Sequence, residues 1–292
     1  MREIKDSELM LNPDGSIFHL HLRPGQLANR VILVGDPDRV DRVAERFTKK
    51  YCSVQNREFR IVSGEYGHVP VSVVSTGIGT DNIDIVLSEL DALVNIDFNK
   101  RCEKEELSKL KLLRLGTSGT LQPDISLGDM ILSKISIGFD GLLNFYQGRN
   151  QICRTDLERR FCDFVEWNPM MGRPYFIESS ETLNCKFEDI TIPGMTVSAP
   201  GFYAPQGRWL RLQPSTPPDF NNRLSLFRAE GLRITNYEME SSALAGLAKL
   251  MGHEATTVCV AIAQRASGHS NTNYRDAVEN MIDKCLEKII SV

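Results

Sequence analysis

At 292 residues, with 41% hydrophobic and 25% charged residues, the chain has the composition of an ordinary globular protein with enough apolar material for a sizeable core. A net charge of -4 and a pI near 5.8 leave no footprint for nucleic acid, which needs concentrated Lys and Arg. Seven widely spaced cysteines form no CxxC pair, which fits reduced thiols in a cytoplasm, and no apolar run reaches membrane-span length.

Residues 1–15 are charged and polar and read as an N-terminal extension, with nothing in 1–10 that resembles an export signal. Ile17-Phe18-His19-Leu20-His21-Leu22 alternates like a short edge strand with His19 and His21 on one face. No nearby Cys, Asp or Glu completes a metal set, so these histidines read as surface or subunit-contact residues.

Val31-Ile32-Leu33-Val34 predicts a buried strand that ends in Gly35-Asp36-Pro37-Asp38-Arg39 and passes into a helix marked by Val40, Val43, Ala44 and Phe47. Such a turn presents backbone N–H groups at a helix N-terminus, and Arg39 adds a fork suited to phosphate; Asp36 and Asp38 serve equally well as helix caps. The Gly-Lys-Ser/Thr ending of a Walker loop and the Rossmann glycine pattern are both absent. A second strand before Thr76-Gly77-Ile78-Gly79-Thr80-Asp81 leads into a helix with Ile83, Val86, Leu87, Leu90 and Val94 on one stripe. The charge-rich segment 99–111 reads as a solvated helix or an insertion. Leu112-Leu113-Arg114-Leu115-Gly116-Thr117-Ser118-Gly119 is a third glycine-ended strand, and Arg114 is its odd residue, since a charge in an apolar strand is costly unless paired or facing an anion. Arginines at two such strand ends point to one anion pocket.

A strand from Met130 and a helix marked by Leu157, Phe161, Phe164 and Val165 carry no obvious chemistry. After a strand ending at Ser198, Gly201-Phe202-Tyr203-Ala204-Pro205-Gln206-Gly207-Arg208-Trp209 offers aromatics beside Gln and Arg, which suit a flat heterocycle or serve as a hydrophobic plug. Residues 208–228 are rich in proline and asparagine and read as a flap. Asn236-Tyr237-Glu238-Met239-Glu240-Ser241-Ser242-Ala243 delivers two carboxylates to the mouth of an alanine-rich helix, where Ser241 or Ser242 is expected to cap and Glu240 stands where ligands of α/β proteins bind. The rival reading has both glutamates simply complementing a helix N-terminus. A strand from Thr257 ends at Gln264-Arg265, and a last helix buries Val278, Met281, Ile282, Cys285 and Ile289. Strands alternate with helices throughout, which implies one α/β domain over 1–292 with a largely covered sheet.

In their order and spacing these motifs resemble the uridine phosphorylases of the nucleoside phosphorylase-I family, from about Phe18 onward. The resemblance implies a single α/β domain whose central mixed, partly barrel-like β-sheet is flanked by helices. It implies phosphate contacts at Gly35, Arg39, Arg114 and Thr117, with Arg57 reaching the phosphate of a neighbouring subunit and His19 crossing the same interface to the ribose 5′-hydroxyl. Glu238 belongs to the matched ribose motif, with Met239 under the sugar and Glu240 on its 2′ and 3′ hydroxyls. Phe202, Gln206, Arg208 and Arg265 fall on the uracil positions, and no aspartate acid of the purine branch stands near Arg265, which implies a pyrimidine. Glu58 and Ile78 match a monovalent-cation site of some bacterial members, but Asn82 replaces its serine. The implied active unit is a homodimer; the differing stretches at 99–111 and after Arg208 leave its assembly into hexamers open.

The expected reaction is reversible phosphorolysis of uridine, with deoxyuridine open as a second substrate, phosphate as co-substrate, no organic cofactor, and K+ at Glu58 and Ile78 left open. Arg114, Glu240, Gln206 and Arg208 are its expected catalytic residues. A phosphorylase for another nucleoside, a nucleosidase that uses water in place of phosphate, and a non-catalytic nucleoside sensor are the rivals.

Overall fold

The structure is a computed structural model that describes residues 2–265 and 268–291. β1 (Arg30–Val34) is buried from Val31 onward and passes into α1 (Pro37–Ala44), where the Asp36 side chain caps by accepting from Asp38 N–H and Pro37 occupies the first turn. β2 (Lys49–Asn56) and β3 (Phe59–Tyr66) form a hairpin that continues into β4 (Val69–Ser75) and then α2 (Thr80–Asn95). β5 (Ile96–Asp97) and β6 (Cys102–Glu103) make a short side hairpin ahead of the two long strands β7 (Lys111–Thr120) and β8 (Met130–Gly138). After α3 (Arg149–Ile152), α4 (Thr155–Val165), β9 (Tyr175–Glu178) and α5 (Glu181–Phe187) comes β10 (Ile192–Ser198). α6 (Phe220–Leu226), β11 (Arg228–Ala229), β12 (Leu232–Glu238) and α7 (Ser241–Leu250) follow, and β13 (Glu254–Gln264), β14 (His269–Ser270) and α8 (Arg275–Ile289) end the described chain.

The main sheet is half open and half closed. Its open wing runs β2-β3-β4-β1-β7, with β1 parallel to both β4 and β7. From β7 the order β13, β8, β10, β12 curls back until β12 pairs antiparallel with β7 at Asn236↔Thr120 and Tyr237↔Gly119, closing a ring of five strands. α2 and α7 pack one apolar core with β1, β3 and β7, while α1, α5 and α8 cover the other face through a second core. An aromatic cluster of Phe161, Phe176, Phe220 and Phe227 seats α4 and α6. Because helices cover both faces, β1 and β4 are near-continuous apolar runs, which is why they are legible in the sequence.

Several local expectations are corrected. Residues 17–22 form a turn and not an edge strand: His21 N–H donates to the Ile17 carbonyl (3.0 Å), His21 adopts φ 51°, and only Ile17 makes an isolated bridge, to Leu11. Segment 99–111 contains no helix; Cys102 and Glu103 pair with β5, and Arg101 donates to the carbonyls of Ile4, Lys5 and Leu9, which ties this segment to the N-terminal residues. Residues 208–228 are divided, since Phe220 and Leu224 anchor α6 in the aromatic core while Trp209, Leu210 and Leu212 are exposed. Neither Ser241 nor Ser242 caps α7: its first N–H groups are taken by Glu238 and Ser198. Among the described residues no helix is long and apolar enough to cross a membrane.

Candidate functional site

A cavity of about 1350 Å³ opens where β1, β4, β7, β10, β12 and β13 reach their C-terminal ends, the usual ligand position in such sheets. It gathers Gly35, Arg39, Arg114, Thr117, Phe202, Gln206, Arg208, Glu238, Met239, Glu240 and Arg265 from segments far apart in the chain, together with Glu58 and Ile78. His19 and Arg57 are not brought into it.

Two guanidinium groups define one end. Arg39, from the first turn of α1, is buried; its Nη1 donates to the Leu115 carbonyl (3.1 Å), its Nε has no partner, and no carboxylate pairs with it among the described residues. Burial, and then the charge of nearby Arg114, push its pKa down. Arg114 folds over β7 at Gly116, where a Cβ would lie 2.1 Å from Nη1. It pairs closely with Glu240 and more loosely with Glu238 (3.4 Å). Burial opposes the Arg114 charge, but Glu240 and Glu238 outweigh it and raise the pKa above the ordinary arginine value. One arginine without an anion beside another shared by two acids is an arrangement that favours an incoming oxyanion.

The two glutamates, alike by spacing, divide in the structure. Glu238 accepts from Glu240 N–H (2.8 Å), Ser241 N–H (2.9 Å) and the Ser241 hydroxyl (2.8 Å), and also from the Ser198 hydroxyl, so it serves as the cap of α7. Glu240 turns to the cavity: one oxygen accepts from Gly79 N–H at the start of α2 (2.7 Å), the other from Arg114. Burial raises the Glu240 pKa to about 7; Arg114 pulls it down and the neighbouring Glu238 pushes it up. Glu240 therefore holds its proton to higher pH than an ordinary carboxyl does.

At the other end Gln206 is buried. Its side-chain oxygen accepts from Arg208 Nη1 (2.6 Å), and its main-chain carbonyl accepts from Arg265 Nη2 (2.6 Å). Arg208 stacks on Phe202 at 3.6 Å, and burial followed by the Arg265 charge lowers its pKa to about 10. Tyr237 also lines the cavity, with Arg265 5.8 Å from its ring centroid and its hydroxyl on Asn221 (3.0 Å). A period-two reading of β12 puts Tyr237 on the face opposite Glu238 and so does not group it with the cavity residues. The Gly79 N–H partner of Glu240 was likewise unforeseen; the glycine turn before α2 was its only signal.

Outside the cavity, His19 contacts Glu89 through Nδ1 (2.6 Å), and Asn56 donates to the His19 carbonyl (2.7 Å). Arg57 is exposed over the Phe18 ring at 5.7 Å. The two therefore share one surface. Beside Glu58, the Asn82 amide crowds Gly77, where an added Cβ would meet it at 2.3 Å.

The profile of the phosphorylase superfamily matches residues 29–292. The chain belongs to this superfamily. Within it, the chain is 30% identical over 254 residues to a uridine phosphorylase of Thermococcus kodakarensis, covering 87% of this chain and 79% of that one. It is 27% identical over 281 residues to the uridine phosphorylase of Haemophilus influenzae, covering 94% and 95%. The crystal structure of a Trypanosoma brucei nucleoside phosphorylase, described as showing uridine phosphorylase activity, superposes with a TM-score of 0.88 at 27% identity over 97% of this chain and all (100%) of that one. The mixed, partly closed sheet expected of a nucleoside phosphorylase-I type fold is thus borne out.

Proposed function

We propose that this superfamily member is a uridine phosphorylase, a pentosyltransferase that converts uridine and phosphate reversibly to uracil and ribose 1-phosphate in pyrimidine salvage. The observation that carries the reading is the polarity of the cavity: an arginine pair at one end, a Gln-Arg-Arg group at the other, and Glu240 between them. Phosphate held by Arg39, Arg114, Thr117 and the Gly35 turn faces C1′ of the sugar. Glu240 accepts the 2′ and 3′ hydroxyls over Met239, and Phe202 stacks on the base.

As the C1′–N1 bond breaks, its electron pair leaves with uracil, whose carbonyl charge Gln206, Arg208 and Arg265 receive, while a phosphate oxygen forms the new bond to C1′. Holding both reactants in line supplies the rest of the acceleration, without a covalent intermediate on the protein. Phosphate is the co-substrate, and the reading includes no organic cofactor and no cation. Glu58 and Ile78 are the residues we would assign to a monovalent ion, and the Asn82 amide stands with Glu58 beside Gly77.

The active unit in this reading is a homodimer in which His19 and Arg57 complete the partner's site. Residues 208–219, exposed at Trp209, Leu210 and Leu212, form its flap. Seven cysteines, none in a disulfide, support a reducing cytoplasm.

The test is to incubate the purified protein with uridine, with and without phosphate, and follow uracil and ribose 1-phosphate, with inosine in parallel. Uracil released only with phosphate is the expected result. Release without phosphate would mean a nucleosidase, and tight uridine binding without turnover a sensor.

A further inference from the structure

An acid that the reaction does not touch stands beside the first turn of α7. Asp140 follows β8 and does not line the cavity. Its carboxyl group accepts from Leu142 N–H (2.8 Å), the Ser242 hydroxyl (2.9 Å) and the Tyr175 hydroxyl (2.9 and 3.0 Å), and the Tyr175 and Ser242 oxygens lie 3.0 Å apart. Every partner is neutral, and burial raises the pKa of the acid. Tyr175 reaches this position because Gly138, its register partner on β8, has no side chain; a Cβ there would lie 2.2 Å from the tyrosine ring.

Gly138 also pairs with Ser198 on β10, whose hydroxyl receives Ser242 N–H (2.9 Å) and donates to Glu238. The turn Glu240-Ser241-Ser242 is therefore held from two sides, by Glu238 with Ser198 and by Asp140 with Tyr175. Helix capping alone does not account for the second clamp, since Glu238 and Ser198 already satisfy the first N–H groups of α7. Among the described residues no cation pairs with Asp140; burying an acid on neutral partners costs free energy, and its hydrogen bonds fix the groups they reach. What it fixes is the backbone from which Glu240 projects.

We propose that Asp140, acting with Tyr175 through Ser242, is a positioning residue that sets the aim of Glu240 at the ribose hydroxyls, and with it the preference for ribonucleosides over 2′-deoxyribonucleosides. The inference rests on the ribose assignment of Glu240 in the proposed function. The mutual contacts of the three side chains require donors and acceptors but no negative charge, so an amide at position 140 serves equally well.

The experiment compares kcat/KM for uridine and 2′-deoxyuridine, at saturating phosphate, in the wild type and in Asp140→Ala, Asp140→Asn and Tyr175→Phe, with circular dichroism confirming the fold of each. Misaiming Glu240 should reduce uridine turnover about tenfold to a hundredfold in Asp140→Ala and Tyr175→Phe, and 2′-deoxyuridine far less, so that the ratio falls by about tenfold. Asp140→Asn should keep the wild-type ratio. Folded variants that lose both substrates equally, or lose neither, would overturn the positioning role, as would a wild-type ratio near one. If Asp140→Ala does not fold, Tyr175→Phe alone decides by the same criterion. Wild-type protein that turns over neither nucleoside would remove the ribose assignment itself, and the positioning role with it.

Discussion

Arg114 lies in an apolar strand between Leu113 and Leu115, and two carboxylates neutralise it before any ligand arrives. On the proposed reading, an anion bound at Arg39 and Arg114 competes with Glu240 for the Arg114 guanidinium, while the other Glu240 oxygen stays on Gly79 N–H at the cavity. Arg114→Ala is expected to lower kcat/KM for phosphorolysis by about a hundredfold to a thousandfold, the usual loss for one preorganised donor. A purified, folded variant with near-full activity would refute the phosphate assignment. Gln206→Ala should chiefly impair pyrimidine nucleosides, and equal losses on uridine and inosine would argue against its base contact. The Glu240 carboxyl, raised from 4.5 to about 7, gives a pH prediction whose sign is fixed by that direction. A raised acid holds its proton to higher pH, and only the ionised form accepts both hydroxyls, so uridine binding in phosphate-free buffer should weaken by about tenfold for each pH unit below that pKa. Titration calorimetry giving one affinity between about pH 8 and pH 6 would contradict it.

Among the elements, α1 carries Arg39 and is held against α8 by Arg42 on Glu279 (2.5 Å), and Arg46, just past its end, pairs with Glu279 and Asp283 (both 2.8 Å). These pairs are partly exposed, so their worth in stability is modest, but they hold the helix that carries Arg39, for which we propose a phosphate contact. Glu279→Ala should cost about 1 kcal/mol in urea unfolding and raise the KM for phosphate with little change in the KM for uridine. An unchanged phosphate KM would mean that α1 is held by its apolar face alone. Legibility in the sequence follows the same line between local and distant causes. The covered strands β1 and β4 read plainly as apolar runs, and α8 by its buried stripe. The β2–β3 hairpin did not, because its turn at Arg57 and Glu58 lacks the Asn-Gly or Asp-Gly signature and Arg57 itself takes φ 51°. The closure of β12 on β7 rests on two residue pairs more than a hundred positions apart, which no local pattern encodes; the family resemblance supplied it. The division of labour between Glu238 and Glu240 was beyond reach for the same reason, since it depends on Ser198, Gly79 and Arg114.

At the scale of the whole molecule, the cavity of the single chain draws on neither His19 nor Arg57, although both are residue types that a phosphate and a sugar would use. They lie together on a surface beside Phe18, and Ile78 on the cavity rim is 69% exposed, an apolar edge that a second copy would cover. If the partner's Arg57 completes each site, two defective subunits can repair one another. Arg57→Ala and Arg114→Ala should each be nearly inactive alone. Co-expressed in equal amounts they should form mixed dimers in which one site joins an intact Arg114 to an intact Arg57, restoring about a quarter of wild-type activity by random pairing in a twofold assembly. No recovery would place Arg57 in its own subunit's reaction, because both sites of a mixed dimer would then be defective. Full activity of Arg57→Ala by itself would remove the residue from the site altogether. The outcome with His19→Ala in place of Arg57→Ala should be the same in direction, with a smaller initial loss, since a 5′-hydroxyl contact orients the sugar while the arginine would bind the attacking anion.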